Sequence, residues 1–236
     1  MVILGVDTSN SIGTLVLSKE SEFIGEVSLD MQKAHLRELL PTIDFLLKRT
    51  QLTVQNIDLF TVVVGPGSWS GIRIGVTTIK SLAHALDKPI IGVSSLDILA
   101  YNLRFTNHSV YPIIDASKEQ VYYAGYHCSE AIPKRFTDHS LSKIEELVSK
   151  LKGPTILLGN GVSKYEQKII AISRDDVFIA PHFLNHIRGV HIAEAGFYKF
   201  RQSGPDDTLS LAPIYLQKSE AEQKFERRDA FELGGE

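Results

Sequence analysis

The same short design occurs twice in this chain, and each copy turns on an aspartate. The first reads Ile3-Leu4-Gly5-Val6-Asp7-Thr8-Ser9, then a polar turn, then Thr14-Leu15-Val16-Leu17. The second reads Tyr111-Pro112-Ile113-Ile114-Asp115-Ala116-Ser117, then a polar turn, then Val121-Tyr122-Tyr123-Ala124-Gly125-Tyr126. An apolar strand that ends in Asp-Thr-Ser or Asp-Ala-Ser and returns as another strand is a β-hairpin with a polar tip. Its repetition predicts two related lobes facing each other across a cleft, the place where a nucleotide or a partner is expected to bind. A chain of 236 residues is long enough to bury one large core or two moderate ones.

The periodicity between the two copies is consistent with an α/β chain. Residues 2–8, 12–18 and 23–29 read as three consecutive strands with short polar turns. A helix is expected from about Ala34 to Arg49, with Leu36, Leu39, Leu40, Ile43 and Leu47 on one stripe. Phe60 to Val64 is a continuous β-branched run, as in a strand buried on both faces. The loop Gly65-Pro66-Gly67-Ser68-Trp69-Ser70-Gly71 then opens a second helix, expected from about Ile72 to Leu86, and Pro89 to Val93 reads as another strand. A short helix follows from Leu96 to Asn102. After the second hairpin, a helix from about Ser142 to Leu151 has Ser142 and Glu145 at capping-box spacing. Then come a strand from Thr155 to Leu158, a helix from about Ser163 to Ile172, and a longer helix from His186 to Phe200. The expected division is a first lobe over 1–104, a second over 105–216, and a polar tail over 217–236.

Charge and cysteine usage narrow the function classes. Acids and bases are well mixed, with a net charge of −3. A protein that grips nucleic acid unaided usually carries a basic stripe. Lys48-Arg49 is too short for one, and Arg227-Arg228 sits among acids. No apolar run approaches the roughly 18 residues of a membrane span. The single cysteine, Cys128, cannot form an internal disulfide, which fits a reducing cytosol. A cytoplasmic chain with no membrane attachment is the expectation.

The loop at 65–71 is the strongest local signal. Glycines allow close backbone approach, and a helix N-terminus presents N–H groups and positive partial charge, which suits phosphate. The spacing is nevertheless one residue longer than the dinucleotide fingerprint, Pro66 removes a donor, and no P-loop lysine follows. A tight strand-to-helix turn explains it equally. Asp7 and Asp115 could orient a metal-bound water near a nucleotide, or accept N–H bonds in their own turns. Were a nucleotide to bind, Asp7, Thr8, Ser9, Gly67 and Ser68 would be its contacts. A two-histidine metal site on the first long helix needs a partner for His35 one turn along, and that position is Leu39. His182 and His186 have the spacing, but Pro181 and Asn185 place His182 ahead of its helix. Neither a metal nor a catalytic residue is expected.

The second helix carries two stripes. Ile72, Val76, Ile79, Ala83 and Leu86 form the expected buried one, while Ile74, Thr78, Ser81 and Ala85 line the far side. Small residues there let another helix approach closely, and Phe45 projects opposite the leucine stripe of the first helix. These residues are expected to form a docking surface.

The segments ILGVDTS, KAHLRELLP, GPGSWSGIRIG, IIGVSSL, IIDASKEQVYYAGY, LLGNG and PIYL, in order from residue 2 to about 222, resemble the TsaB family, also called YeaZ. The resemblance implies the duplicated actin-like/Hsp70/sugar-kinase (ASKHA), ribonuclease H-like fold. It also implies a role in making N6-threonylcarbamoyladenosine at position 37 of tRNAs that read codons beginning with A. In that family the transferase is a paralogue, TsaD, which carries a His-x-x-x-His metal motif, and TsaE is an ATPase also required. With Leu39 in place of the second histidine, this chain falls on the non-catalytic side of the pair. The implied partners are TsaD, TsaE and a second copy of the chain, docked through the two N-terminal helices at His35, Phe45, Ile74, Thr78, Ser81 and Ala85. Transfer RNA would be met only through that complex. No cofactor of its own is implied, although ATP or ADP would be present in the complex. Ser117 stands where the family often has the first of two basic residues. Three other readings remain open: an ATP-dependent small-molecule phosphotransferase, a glycoprotease-like peptidase, and a plain dimerising module.

Overall fold

The computed structural model describes residues 1–31 and 35–217, with side chains from residue 37 onward in the first long helix. The expected helix start at Ala34, the side chains of His35 and Leu36, and the tail beyond Gln217 lie outside the described residues. Strands β1 (Val2–Asp7), β2 (Ile12–Lys19) and β3 (Glu22–Asp30) form an antiparallel meander. Helix α1 (His35–Arg49), strand β4 (Leu59–Val63), helix α2 (Trp69–Ala85) and strand β5 (Ile90–Val93) complete the first lobe. β4 and β5 add in parallel, giving the order β3-β2-β1-β4-β5.

After helix α3 (Ser95–Ala100) the plan repeats. It uses β6 (Ser109–Asp115), β7 (Gln120–Tyr123), the short β8 (Tyr126–His127) and β9 (Lys134–Arg135), and β10 (Ser140–Lys143). Helix α4 (Ile144–Lys150), strand β11 (Thr155–Leu158), helix α5 (Asn160–Ile172), strand β12 (Val177–Ile179) and helix α6 (Gly189–Ser203) follow. The second sheet runs β10-β7-β6-β11-β12, strand for strand the order of the first, with β8 and β9 attached at β6. Two such sheets in one chain define the duplicated ASKHA, ribonuclease H-like architecture. Asp7 and Asp115 end the two equivalent first strands, as the repeated sequence demanded.

The structure corrects several boundaries. α2 begins at Trp69, three residues before the expected Ile72, because the Ser68 hydroxyl accepts the Gly71 N–H at 3.3 Å and caps it. Ser142 is not a cap: it pairs with Val121 in the sheet, and Glu145 turns instead to Lys168 at 2.8 Å. α5 begins at Asn160, and α6 at Gly189 after an extended approach through Arg188. On α1, Leu39, Ile43, Leu46 and Leu47 face the core, whereas Leu40 is 54% exposed. Leu46 takes the place expected of Leu40 because the helix lies on the sheet along its 39–43–46 edge.

Sequence order and spatial order part company at the seam. α6, late in the chain, packs on the first sheet: Gly5 lies against Ile192, and Gly196 against Thr61. A methyl at either glycine would collide, so small residues set this helix-to-sheet distance. α3, from the first half, packs on β6. One apolar cluster therefore joins Ile3, Val16 and Leu59 to Val110, Ile114 and Tyr126 across the lobes. Residues 204–217 form a strap that returns to the first lobe. Asp206 bridges to Ile90, the Ile214 N–H reaches the Val64 carbonyl at 2.8 Å, and Tyr215 stacks on Trp69 at 3.8 Å.

Candidate functional site

The first hairpin tip and the glycine-rich loop close on each other. The Ser9 N–H donates to Asp7 Oδ1 at 2.7 Å, folding the tip back on its own aspartate. The Ser68 N–H donates to the Ser9 carbonyl at 2.7 Å, and the Thr8 hydroxyl to the Gly71 carbonyl at 2.7 Å. A methyl at Gly67 would strike the Ser9 carbonyl oxygen, one at Gly71 the Thr8 carbonyl oxygen, and one at Gly75 the Thr8 hydroxyl. The loop glycines thus make room for the chain's own hairpin. Asp7, Thr8 and Ser9 are buried, and the Thr8 and Ser9 carbonyl oxygens lie directly against the loop glycines. Asp7 Oδ2 is left buried without a hydrogen-bond partner. Burial raises the Asp7 carboxyl to about 6, against the lowering effect of its hydrogen bonds from Ser9.

The second tip is more open. Asp115 Oδ1 accepts the Ser117 N–H at 3.0 Å and the Tyr165 hydroxyl at 2.8 Å, while Oδ2 meets Lys164 at 2.7 Å. Tyr165 reaches it from a point where α5 leaves helical geometry. Ser117, at the position where a basic residue was expected, is exposed, and it, Lys118 and Glu119 all adopt left-handed backbone angles. The two tips are linked where Asn160 Nδ2 donates to Asn10 Oδ1 at 2.9 Å.

A serine–histidine–aspartate group does occur, at Ser94, His139 and Asp97. Ser94 Oγ lies 3.2 Å from His139 Nε2, but Asp97 Oδ1 approaches that same nitrogen, at 3.5 Å. Arg135 covers both ring nitrogens, at 2.7 and 3.3 Å. A hydrolytic triad needs the carboxylate on the nitrogen remote from the serine. Here Ser94 caps α3, and the Tyr126 hydroxyl donates to Asp97 at 2.7 Å. The group ties α3 to β8, and its members are too scattered in sequence to be recognised there. Among the described residues no cluster of three or more His, Cys, Asp or Glu could hold a metal ion. Leu39 is 1% exposed and belongs to the core. His182 lies in a separate 3₁₀ turn before α6, so it shares no helix face with His186.

The helical face behaves differently from the cleft. Phe45 is 48% exposed, with the Arg49 guanidinium 5.3 Å from its ring, and Leu40 of the same helix is exposed as well. Ser81 and Ala85 are exposed, while Thr78 and Ile74 are half-buried, with Ile74 packed on the outer core. A groove of about 390 Å³ between α1 and α2 is lined by Leu40, Ile43, Leu47, Leu52 and Leu82. Leu40 and Leu82 are the members of this surface that the sequence reading missed. An exposed leucine in a heptad-like stripe carries no local mark of its exposure.

Comparison with known proteins resolves the relationship. Residues 15–186 match the family model described as TsaD: tRNA N6-adenosine threonylcarbamoyltransferase. The tRNA threonylcarbamoyladenosine biosynthesis protein TsaB of Bacillus subtilis (strain 168) is 32% identical over 228 residues, covering 95% of this chain and 98% of that protein. The chain belongs to the TsaB family. TsaB proteins are named for tRNA threonylcarbamoyladenosine biosynthesis, and that is the pathway in which this chain is placed. The tRNA N6-adenosine threonylcarbamoyltransferase of Brachyspira hyodysenteriae is 32% identical over 130 residues, but these cover 48% of this chain and 38% of that enzyme. The solved structure of YeaZ from Pseudomonas aeruginosa superimposes with a TM-score of 0.78 at 22% identity, over 91% of this chain and 99% of that one. At that identity the likeness speaks to the TsaB fold alone. No helix among the described residues is long and apolar enough to cross a membrane.

Proposed function

We propose that the chain is a non-catalytic subunit that activates a TsaD-type transferase making N6-threonylcarbamoyladenosine at position 37 of tRNAs reading codons beginning with A. The observation that carries this reading is the closed first tip, where the buried Thr8 and Ser9 pack against the glycine-rich loop. Leu39 supports it, since a leucine in the core cannot supply a metal ligand. The docking surface is the α1–α2 face, with Phe45, Ile74, Thr78, Ser81 and Ala85, and its edge includes Leu40 and Leu82. Apolar and small residues exposed together on paired helices suit a four-helix seam with the transferase or with a second copy of the chain. The ATPase TsaE is a further member of the assembly, and any ATP or ADP rests on the partners. The setting is the cytoplasm.

Reconstitution tests this. Modification of tRNA by the transferase and TsaE should require this chain, and Ala85→Glu should remove that requirement's fulfilment by preventing docking. A carboxylate forced into an apolar seam costs about 3 kcal/mol, roughly two decades in affinity. Thr78→Arg should act likewise, with both variants melting close to the parent. Threonylcarbamoyl transfer by the purified chain alone would overturn the reading.

A further inference from the structure

The C-terminal strap creates a second surface on α2, distinct from the face turned toward α1. Between the strap and the helix runs a groove of about 540 Å³, with Arg73, Thr77, Lys80, Ser81, Ser210 and Tyr215 among its lining residues. Among the described residues no carboxylate lines it. Lys80 Nζ donates to the carbonyls of Leu209 and Leu211 at 3.1 and 2.8 Å and makes no ion pair within 4 Å among the described residues, although Asp207 is near enough to feel its charge. Asp207, one of two acids in the strap, accepts the N–H groups of its own turn at Leu209 and Ser210, at 3.2 and 3.1 Å. Arg73 makes no ion pair among the described residues; its Nε donates to the Tyr215 hydroxyl at 2.8 Å.

Tyr215, which lines the groove, belongs to an aromatic pair. Trp69 and Tyr215 stack with centroids 3.8 Å apart and an interplanar angle of 26°. The Arg73 guanidinium carbon lies 4.6 Å from the Trp69 centroid and 5.6 Å from that of Tyr215. Were it to cap the far face of Trp69, its distance to Tyr215 would be close to the sum of the other two. The three distances instead form a compact triangle, with the guanidinium against both rings. Tyr215 is 39% exposed. An arginine with no ion pair, a lysine held on backbone carbonyls, exposed hydroxyls and the Tyr215 ring, in a groove with no carboxylate among its described lining residues, match a polyanion that carries planar bases.

We propose that this groove binds a single-stranded segment of RNA, with phosphates on Arg73 and Lys80 and one base stacked on the Trp69–Tyr215 pair. Ser81 lies both in the groove and on the proposed docking face, so the RNA would run along the seam with the transferase. The identity of the ligand as RNA rests on the tRNA-modification reading; the charge and the stacking do not. The site also answers the absence of a basic stripe, because two cations give modest affinity that a partner must complete. For single strands the salt slope is about −0.7 per phosphate contact, hence about −1.4 for two.

The test uses the full chain without any partner, and a labelled, unstructured RNA of about twelve nucleotides, followed by anisotropy at roughly 0.05 M salt. Saturable binding is expected, with a change in the emission of Trp69, the chain's single tryptophan. Arg73→Gln should weaken binding about fivefold or more and reduce the salt slope by about 0.7. Tyr215→Leu, which keeps an apolar anchor for the strap, should weaken RNA but not an abasic ribose-phosphate oligomer of equal length. Ala85→Glu should leave RNA binding intact while abolishing transferase docking, and Arg73→Gln should leave docking intact, so the two readings fail separately. The proposal is overturned if the parent chain does not bind the RNA, or if Arg73→Gln binds as well as the parent. Competition by AMP or poly-glutamate as effective as by RNA would overturn it too.

Discussion

The two hairpin tips begin from nearly the same residues and end in opposite states. In the first lobe Asp7 is 1% exposed, half satisfied, and pressed under a glycine-rich loop. In the second, Asp115 stands at the corresponding strand end with a lysine, a tyrosine and a backbone N–H around it. What differs is the element that follows the next strand. After β4, glycines at 67, 71 and 75 let loop and helix settle directly on Thr8 and Ser9. After β11, α5 begins at once from Gly159 and holds Lys164 and Tyr165 toward the tip. A repeated strand-end aspartate therefore does not define a repeated function. The environment supplied by the neighbouring helix decides whether the carboxylate is a buried structural group or a solvated ion pair.

The contrast can be broken most forcefully at the helix-opening glycines. Gly71→Ala places a methyl against the Thr8 carbonyl with nothing flexible to yield, and should cost about 3 kcal/mol in urea unfolding. Gly161→Ala, whose methyl would meet the Ile113 carbonyl at 3.1 Å, should cost about 1 kcal/mol. Equal losses would mean that the first tip is no more tightly sealed than the second.

The buried charge gives the next largest effect, and its sign is diagnostic. Below pH 3.8 the Asp7 carboxyl is protonated both folded and unfolded, so it imposes no penalty. As pH rises from 3.8 to about 6 the unfolded chain loses this proton first, and stability falls. The full cost, about 3 kcal/mol, applies above that window. Asp7→Asn should remove the dependence and raise the urea midpoint at pH 7, while leaving it little changed near pH 4. A parent-minus-variant difference that stays flat with pH would contradict the buried, unpaired state of Asp7. Asp115→Asn should act in the opposite direction and weakly, by about 1 kcal/mol or less, because Lys164 is 48% exposed and its ion pair is screened. Of similar size, Asn160→Ala should lose about 1 kcal/mol through its bonds to Asn10 and the Asp115 N–H, and in the double variant Asn10→Ala should add only what its own bond to Ser9 contributes.

Much of this was legible before any coordinates. The three-strand meander, the buried run at 60–64 (one residue off the observed strand), both aspartate tips and the exposure of Phe45 follow from period, β-branching and turn residues. The reading of the loop at 65–71 stood between phosphate cradle and tight turn, because glycine permits close approach without naming what approaches. Only the structure shows that what approaches the loop is the chain's own Thr8 and Ser9. Leu40 and Leu46 could not be told apart, since both lie near the edge of the apolar stripe. The strap escaped notice for a related reason: residues 204–217 have no periodicity, and what fixes them are single bonds to Lys80, Val64 and Arg73 far away in sequence.

The sequence by itself determined the duplicated α/β plan, the family, and a leucine at position 39, one turn after His35 on the first long helix. These are properties of local pattern and residue type. The tertiary structure alone decided that the first tip is closed, that α6 covers the sheet of the other lobe, and that the strap builds a cationic groove on α2. Each of those depends on which distant backbone or ring fills a space, and chain-local propensities carry no information about that.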